Sequence, residues 1–472
     1  VPELRRAWRL TRGLHSADMH LLEGRGGGLA AIEKATRAGA IVEGILTAGY
    51  AGASYGIGLA RPLRRYAVAC DVEWDHLSED ERAAATRVCS LGAYILSDGD
   101  WWQYVTTPGE TTYLPNFNTD VFCALGHVAL LLPGHPCSDV WLRDCLNRLE
   151  RDLEYHLRRD GGGEENVGGY LLSTWTQLHL PMLWAFRQCG IRDYSRDPRV
   201  IGGARFLLSV LGPADPRDKG THSMPPIGHH PHARKSLTFA SWLAAFLKES
   251  EPVLAEELMW AWRVSGARVH RNMDHSGPEA NPFSRHFVFH DSTIAERQPV
   301  QVSRELPHVG AVLRSHAGSA AESYLFLKAG RIHSHHDEDE GSFHWFGRGV
   351  PLALDGLPLA NGATRREHNA PTFDKPGQPT AHVTAFASTP EADYVRAHAR
   401  PGGFCSDAMR GEGVHRSGFE REIVFMKARR PGGCEYLVVK DTLAGPDACE
   451  WNLDVLSRKP RRAGDGRLHF PG

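Results

Sequence analysis

Apolar residues recur every three or four positions along the N-terminal half of the chain. This spacing predicts amphipathic helices, because it gathers the apolar side chains on one face of a helix. Loops that contain glycine and proline separate the apolar segments. The predicted helices are Glu81–Leu96, Asp120–Leu132, Val140–Leu157, Leu171–Cys189, Pro198–Val210, Leu237–Lys248 and Val253–Val264. Repeated helix pairs joined by loops favour an α/α toroid or a helical solenoid.

The period of the pattern changes between residues 265 and 305, around a polar run at 272–282. Beyond this run, short segments rich in β-branched and aromatic residues alternate apolar and polar positions, as strands do. The predicted strands are Val309–Leu313, Ser323–Lys328, Ser342–Phe346, Ala381–Phe386, Ile423–Lys427 and Tyr436–Lys440, with a further strand that ends at Asp355. We therefore predict a multidomain α+β protein, with an α/α toroid at 1–275, a linker at 276–305 and an antiparallel β-sandwich at 306–472.

Composition narrows the classes of function. With 56 acidic and 54 basic residues the net charge is −2, so no broad basic surface is available for nucleic acid and an anionic ligand needs a local basic cleft. The longest apolar stretches, such as Val128–Leu132, are too short to span a membrane. Nine cysteines without a CxxC pair predict neither a zinc ribbon nor a dense disulfide scaffold. Cys123, Cys145 and Cys189 are expected to be buried thiols.

The two ends of the sequence lack features that a complete precursor usually has. The sequence begins at Val1 without a basic and then apolar signal region, which fits a mature secreted or periplasmic protein or a chain trimmed at its N-terminus. The final segment, 451–472, shows no obvious closing element. We therefore expect the β domain to be incomplete at its C-terminus.

The densest group of chemically active residues lies in the β region. His333, His335 and His336 share one loop with four carboxylates, and Asp355 and His368 follow further along. Zinc takes nitrogen and carboxylate ligands, usually four in total, from more than one chain segment. One loop histidine with Asp355 and His368 would therefore form a His-Asp-His set with room for water. The alternative interpretation is a solvated, charged turn.

Two features of the helical region carry further polar chemistry. Asn116, Asn118 and Asp120 precede an apolar helix, where they are either functional groups or ordinary turn and N-cap residues. Tyr170 follows a glycine-rich stretch at a predicted helix start, where a packed core tyrosine is the alternative.

Several other residues of the helical region are candidates for binding a sugar polymer. Tryptophans offer flat faces to sugar rings, although they also fill protein cores. Basic groups in a polar loop can face an anionic ligand. The candidates for substrate binding are Trp101, Trp102, Trp175, His229, His230, Arg234 and Glu165.

These residues lead to a family resemblance. Segments 306–315, 327–330, 335–343, 349–356 and 368–369 together resemble the heparinase II/III-like domain of polysaccharide lyases. The upstream helices are similar to the α/α toroid of that family, which includes heparin, heparan and oligoalginate lyases. The asparagine segment and the glycine-flanked tyrosine stand in the expected order. Members of the family usually carry a further helix or small domain at the N-terminus, which again implies a trimmed chain.

The resemblance implies roles for particular residues. Asn116 or Asn118 would bind the carboxylate of a uronic acid. Tyr170 would be the catalytic acid, and the alternative is that it is both the acid and the base. A histidine of the 333–336 group, best His335 and alternatively His333, would complete the cleft.

The resemblance also implies a divalent metal, best zinc, with a structural or site-organising role. Asp355 and His368 match ligand positions of the family. This chain departs from the family at the first ligand, because the position where relatives keep a histidine is Asp337, with His336 beside it. Either residue is a candidate for that ligand.

The chemistry that these residues suit is β-elimination next to a uronic acid in an anionic polysaccharide or oligosaccharide. Neutralising the carboxylate stabilises the enolate-like charge that develops when the C5 proton leaves. A base removes that proton and an acid protonates the leaving O4. No nucleotide cofactor is needed, and the activity is that of a carbon–oxygen lyase acting on polysaccharides.

Three alternative functions remain. A glycoside hydrolase needs two carboxylates across the scissile bond, for which Glu164 or Glu165 with Asp120 are candidates. A uronyl C5-epimerase shares the proton-abstraction step. A carbohydrate-binding protein without activity is the third alternative, and the combination of histidine, asparagine and tyrosine argues against it.

Overall fold

The computed structural model describes residues 60–97, 115–156, 179–225, 237–267, 289–330, 339–354, 368–400 and 404–469, with short gaps inside the first, fourth and last two of these ranges. The described residues fall into two compact units. Unit 1 takes those within Val1–Glu154, Ser173–Ser195 and Val269–Ser292. Unit 2 takes those within Tyr155–Leu172, Arg196–Arg268 and Thr293–Gly472.

Helices dominate the first part of the chain, as the apolar spacing predicts. They are α1 (Glu79–Ser97), α2 (Pro115–Leu131), α3 (Ser138–His156), α4 (Leu180–Gln188), α5 (Pro198–Val210), α6 (Ala240–Leu247) and α7 (Pro252–Val264). The start of α5 has a clear local cause. Pro198 occupies the first turn, and the Asp197 carboxylate accepts a hydrogen bond from the backbone N–H of Arg199 at 2.9 Å.

Unit 1 is built around a core that α1, α2 and α3 share. Helix α3 contributes Trp141 to this core and buries one whole face. Its residues Trp141, Cys145, Leu149 and Leu153 recur every four positions and are 0–1% exposed. Burial also raises the pKa of the Cys145 thiol well above its usual range.

The three cysteines that are expected to be buried behave differently from one another. Cys123 and Cys145 are buried, but Cys189 is exposed, so the prediction of a buried Cys189 is wrong. Cys189 is the C-cap of α4, so it lies beyond the buried residues of the helix, the last of which is Phe186.

The second part of the chain consists of antiparallel strands, with one small hairpin already among the helices. The strands are β1 (Ala214–Asp215), β2 (Thr221–His222), β3 (Arg304–Leu306), β4 (Gly310–Ser315), β5 (Ser323–Lys328), β6 (Phe343–Gly347), β7 (Val350–Ala353), β8 (Pro371–Phe373), β9 (Ala381–Ser388), β10 (Ala392–Ala399), β11 (Phe404–Cys405), β12 (Gly413–Val414), β13 (Gly418–Met426), β14 (Tyr436–Ala444), β15 (Cys449–Trp451), β16 (Arg461–Arg462) and β17 (Leu468–His469). The mixed α+β character is therefore confirmed.

Two sheets of unit 2 share one apolar core. The first is a five-stranded meander in the order β3-β4-β5-β6-β7, and the second has the order β14-β13-β10-β9. Leu313 and Leu325 of the first sheet and Val395 and Ile423 of the second belong to the same buried cluster. This arrangement explains the alternation along β10 and β13, in which every second residue faces the core.

The opposite face of the five-stranded sheet meets the end of α5. The Tyr324 hydroxyl donates to the carbonyl of Val210 at 2.8 Å, and Arg314 Nη2 donates to the carbonyl of Leu211 at 2.6 Å. The last carbonyls of a helix have no partner within the helix, and these side chains supply one. Helix α5 and the sheets thus form one compact unit, while the predicted domain limits at 275 and 305 stay predictions.

No helix in the described ranges combines the length and the apolar character that a membrane crossing requires.

Candidate functional site

Most of the candidate residues lie outside the described part of the chain. These are Tyr170, His333, His335, His336, Asp337, Asp355, Trp101, Trp102, Trp175, Glu165, His229, His230 and Arg234. Asn116 and Asn118 are described as backbone only, and His368 has a described side chain. The roles of these residues stay predictions, and described residues hold the segments on either side of several of them.

Both candidate asparagines fall in the first turn of α2, which begins at Pro115. They are therefore helical residues and not members of a preceding turn. Asp120 lies inside the same helix, so the alternative of an N-cap at Asp120 is wrong. Its side chain is buried, and it forms an ion pair with Arg64 at 3.5 Å. A carboxylate that is buried and paired in this way is a poor candidate for the exposed acid of a glycoside hydrolase.

A second buried carboxylate, Asp152 of α3, connects three segments of unit 1. Thr119 of α2 donates its hydroxyl to Asp152, and Arg148 Nε lies 2.9 Å from the Asp152 carboxylate. His179, which precedes α4, places Nε2 3.6 Å from the same carboxylate. All four side chains are buried. This cluster fixes the helical turn that follows Asn116 and Asn118, and it anchors the chain shortly after the segment that carries Tyr170.

In unit 2, a buried lysine holds both ends of the loop that carries the candidate histidines. Lys328 ends β5 before the loop, and Asp339 and Glu340 are the last two carboxylates of the loop. The Lys328 ammonium contacts Glu340 and lies 3.5 Å from Asp339. Glu340 also accepts a hydrogen bond from the backbone N–H of Ala381 at 3.0 Å. Two of the four carboxylates of this loop are therefore buried partners of Lys328 and not part of a solvated turn.

Asn369 connects three segments that lead to candidate metal ligands. Its backbone N–H donates to Ser342 Oγ at 3.0 Å, just after the histidine loop. Its side-chain amide donates to the carbonyl of Leu354 at 3.0 Å, the residue before Asp355. Asn369 itself follows His368 in the chain. The backbone segments next to three candidate ligand positions therefore lie side by side around one buried amide.

Arg421 of β13 holds the same junction from the second sheet. It is fully buried, and its Nη1 donates to the carbonyls of Gly341 and Asn369, the latter at 2.6 Å. The other guanidinium nitrogens form two hydrogen bonds to the carboxylate of Asp441, at 2.8 and 2.7 Å. This bidentate pair orients the guanidinium and balances its charge. We call Lys328, Glu340, Asn369, Arg421 and Asp441 the loop anchor.

His344 and His368 are two buried histidines near the loop anchor. His368 is 3% exposed, which places its imidazole in the protein interior. Burial lowers the pKa of His344 on β6 to about 3, with a smaller lowering by Arg217. His344 is therefore neutral at neutral pH and is not suited to donate a proton as an imidazolium. Within the described ranges, no three His, Cys, Asp or Glu side chains form a group that could hold a metal.

Sequence reasoning missed the loop anchor as a unit. Asn369 is visible in the sequence only as a polar neighbour of His368. A signal for Arg421 exists in β13, where it occupies an inward position between Phe419 and Ile423. A charged residue at an inward strand position needs buried partners, because an unpaired buried charge is costly.

Comparison with solved structures identifies the fold. Heparinase III aligns with a TM-score of 0.57 at 12% sequence identity, over 84% of this chain and 58% of that structure. A second heparinase III aligns with a TM-score of 0.57 at 11% identity, over 87% of this chain and 57% of that structure. A heparan sulfate lyase from Pedobacter heparinus aligns with a TM-score of 0.49 at 11% identity, over 84% of this chain and 59% of that structure. No family model and no curated protein matches the sequence.

The chain thus has a heparinase-like polysaccharide lyase fold, as the resemblance in the sequence predicts. It spans 58% and 57% of the two heparinase III structures.

Proposed function

We propose that this chain is the lyase part of an enzyme that cleaves an acidic polysaccharide next to a uronic acid by β-elimination. The single observation that carries the proposal is the loop anchor within a heparinase-like fold, because it gathers the segments that lead to His335, Asp355 and His368. In this proposal the helices belong to an α/α toroid, and the two sheets that share a core form a β-sandwich.

The proposed mechanism transfers two protons: one leaves C5 of the uronic acid, and one is added to the leaving oxygen, O4. Asn116 or Asn118 binds the uronate carboxylate and stabilises the negative charge that moves onto it. A base, His335 or Tyr170, takes the C5 proton, and the electron pair of that C–H bond forms the C4–C5 double bond. The C4–O4 bond then breaks, and Tyr170 protonates the leaving oxygen. No water is consumed, and one product carries a 4,5-unsaturated sugar.

The proposed chemistry requires that the loop with His335 is held in a fixed position. Acid and base groups act only within hydrogen-bond reach of the protons that they transfer. The loop with His335 leaves from Lys328 and returns at Asp339, and buried ionic contacts join these two residues. Because breaking buried pairs is costly, the ends of the loop keep their positions when substrate binds.

We propose that a zinc ion is held by His368, Asp355 and either His336 or Asp337, since zinc accepts imidazole and carboxylate ligands together. The hydrogen bond from Asn369 to Leu354 supports this proposal, because it joins the chain next to His368 with the chain next to Asp355. When bound, zinc would supply a fixed crosslink between the loops.

The metal proposal is tested by zinc content. We expect the full chain to bind about one zinc ion, as measured by elemental analysis after loading and gel filtration. His368→Gln is expected to weaken zinc binding at least about tenfold, since even residues behind the ligands contribute this much. His316→Gln is the matched control, because His316 is a partly buried histidine of the same unit. The proposal would be rejected if His368→Gln bound zinc as tightly as the wild-type chain. It would also be rejected if the wild-type chain bound no zinc.

The lyase proposal is tested with a panel of uronic-acid polymers: alginate, heparan sulfate, hyaluronan, chondroitin, glucuronan and ulvan. Elimination places a double bond in conjugation with the carboxylate, which absorbs ultraviolet light. We expect absorbance to rise with at least one polymer. New chain ends without absorbance would indicate hydrolysis, and solvent proton exchange at C5 without cleavage would indicate an epimerase.

The proposed partner is therefore an anionic polysaccharide or oligosaccharide. We also propose a secreted or periplasmic location, because long acidic polysaccharides are encountered outside the cytoplasm.

A further inference from the structure

A pocket of unit 2 that the proposed mechanism does not use combines arginines with apolar residues. It has a volume of about 350 Å³ and lies between α5 and the edge strand β3. This size falls within the range of roughly 300–1,000 Å³ that is usual for small-ligand sites. One face of α5 lines one side, and Arg304 and Leu306 of β3 line the other.

The pocket carries an excess of positive charge. Three arginines, Arg196, Arg205 and Arg304, line it together with one carboxylate, Glu251. Arg205 Nη2 lies 3.2 Å from Glu251, and Arg304 donates to the neutral hydroxyl of Ser209 at 3.0 Å. Among the described residues, Arg196 and Arg304 therefore have no carboxylate partner at this pocket.

The carboxylate next to Arg196 in sequence does not offset this charge. Asp197 caps α5 and accepts two further hydrogen bonds from the Arg199 side chain, at 2.9 and 2.6 Å. Arg196 is exposed and forms no ion pair with any described residue. Its guanidinium is thus available to an anion that enters from solvent.

The apolar part of the lining suits a sugar ring. Phe206 and Leu306 are buried at 2% and 3% exposure, and Ile201 is half-buried beside them. Carbohydrate rings present apolar C–H faces together with charged substituents when they are acidic. A guanidinium binds carboxylate and sulfate groups in a planar, bidentate manner, which an ammonium does not. The lining therefore matches an acidic sugar better than a neutral one.

The strand register relates this pocket to the histidine loop. Leu306 pairs with Gly310, and Gly310 pairs with Lys328, which ends β5 immediately before that loop. Neighbouring strands lie about 4.8 Å apart, so the β3 side of the pocket is on the order of 10 Å from Lys328. A few sugar units of one polysaccharide chain span such a distance.

We propose that the pocket of Arg196, Arg205 and Arg304 is a distal subsite that binds the carboxylate or sulfate group of an acidic polysaccharide. This inference rests on the proposed function for the identity of the ligand. It adds a specificity site on unit 2 that contributes to binding and takes no part in proton transfer.

The test measures binding and not turnover. Titration calorimetry compares heparan sulfate and alginate oligosaccharides of equal length, which bind to full-length chains in a Tyr170→Phe background that slows cleavage. The variant is Arg196→Gln with Arg304→Gln. The matched control is Arg263→Gln with Arg297→Gln, which removes the same charge from two arginines of unit 2 that are 56% and 55% exposed.

We expect the pocket variant to bind about tenfold more weakly, because partly exposed ion pairs contribute modestly and two are removed. The control is expected to bind like the parent, and the difference between them to shrink at high salt. Weaker binding of both oligosaccharides supports carboxylate recognition, and weaker binding of heparan sulfate alone supports sulfate recognition.

The inference would be overturned if the pocket variant and the control bound each of the two oligosaccharides with the same affinity. Failure of the proposed function is seen separately. In that case the wild-type chain produces no unsaturated product from any polymer, while the pocket variant still loses affinity relative to the control.

Discussion

Replacement of Tyr170 by phenylalanine is expected to lower kcat by at least about 10²-fold, the low end of what a positioned acid or base contributes. The substitution removes the phenolic hydroxyl, which is the proposed proton donor to O4, and keeps the ring. Because the hydroxyl acts on the leaving group during reaction, KM should change much less than kcat. Initial rates of ultraviolet absorbance over a range of substrate concentrations give both constants.

The control for this prediction is Tyr436→Phe, which removes the hydroxyl of a tyrosine that is 51% exposed on β14. Both variants should keep the wild-type temperature of thermal unfolding. Near-full activity of Tyr170→Phe would exclude Tyr170 as the acid. Loss of the fold together with the activity would instead identify Tyr170 as a core residue.

Replacement of Arg421 by methionine is expected to lower the free energy of unfolding by about 3–5 kcal/mol, the usual cost of removing one partner of a buried ion pair. The substitution leaves the Asp441 carboxylate without its bidentate partner and two carbonyls without a donor. Denaturant titration followed by circular dichroism measures this change.

Two further variants make the Arg421 prediction specific. Arg421→Met with Asp441→Leu should recover part of the loss, because no unpaired charge then remains. Lys440→Gln should change stability little, since the Lys440–Glu422 pair lies at the surface, with the lysine side chain 67% exposed. Wild-type stability of Arg421→Met would show that the loop anchor does not depend on this guanidinium.

Periodicity alone was enough to predict most elements of the fold. Pro198–Val210 and Ser323–Lys328 match α5 and β5 at both ends, because a proline start and a run of inward apolar residues mark them clearly. In contrast, β10 (Ala392–Ala399) was not predicted. Its inward positions are Asp393, Val395 and two alanines, so small residues and a buried carboxylate hide the alternation.

Asp393 shows why such a strand escapes sequence reasoning. The buried carboxylate accepts a hydrogen bond from Ser303 at 2.6 Å, and the Lys427 ammonium lies 2.6 Å away and balances its charge. Both partners lie on other segments of the chain, far away in sequence. A local pattern cannot reveal partners of this kind.

Contacts between residues far apart in sequence also limit what the sequence predicts of the candidate site. The cluster around His335 is local in sequence, so it can be recognised by its composition. The loop anchor joins Lys328, Asn369 and Arg421 through contacts that span up to 80 residues, as between Arg421 and Gly341. These contacts join residues of both sheets and of the loops between them. Sequence therefore points to the segments that carry chemistry, and the structure adds the residues that hold those segments together.

The central claim is that this chain cleaves a uronic-acid polymer by elimination. The most direct measurement combines the ultraviolet absorbance with the mass of the products formed from the polymer that reacts best. Elimination predicts absorbance in proportion to the bonds cleaved, and two products whose masses add up to that of the substrate. Products that together exceed the substrate by the mass of one water per cleaved bond, without absorbance, would contradict the claim.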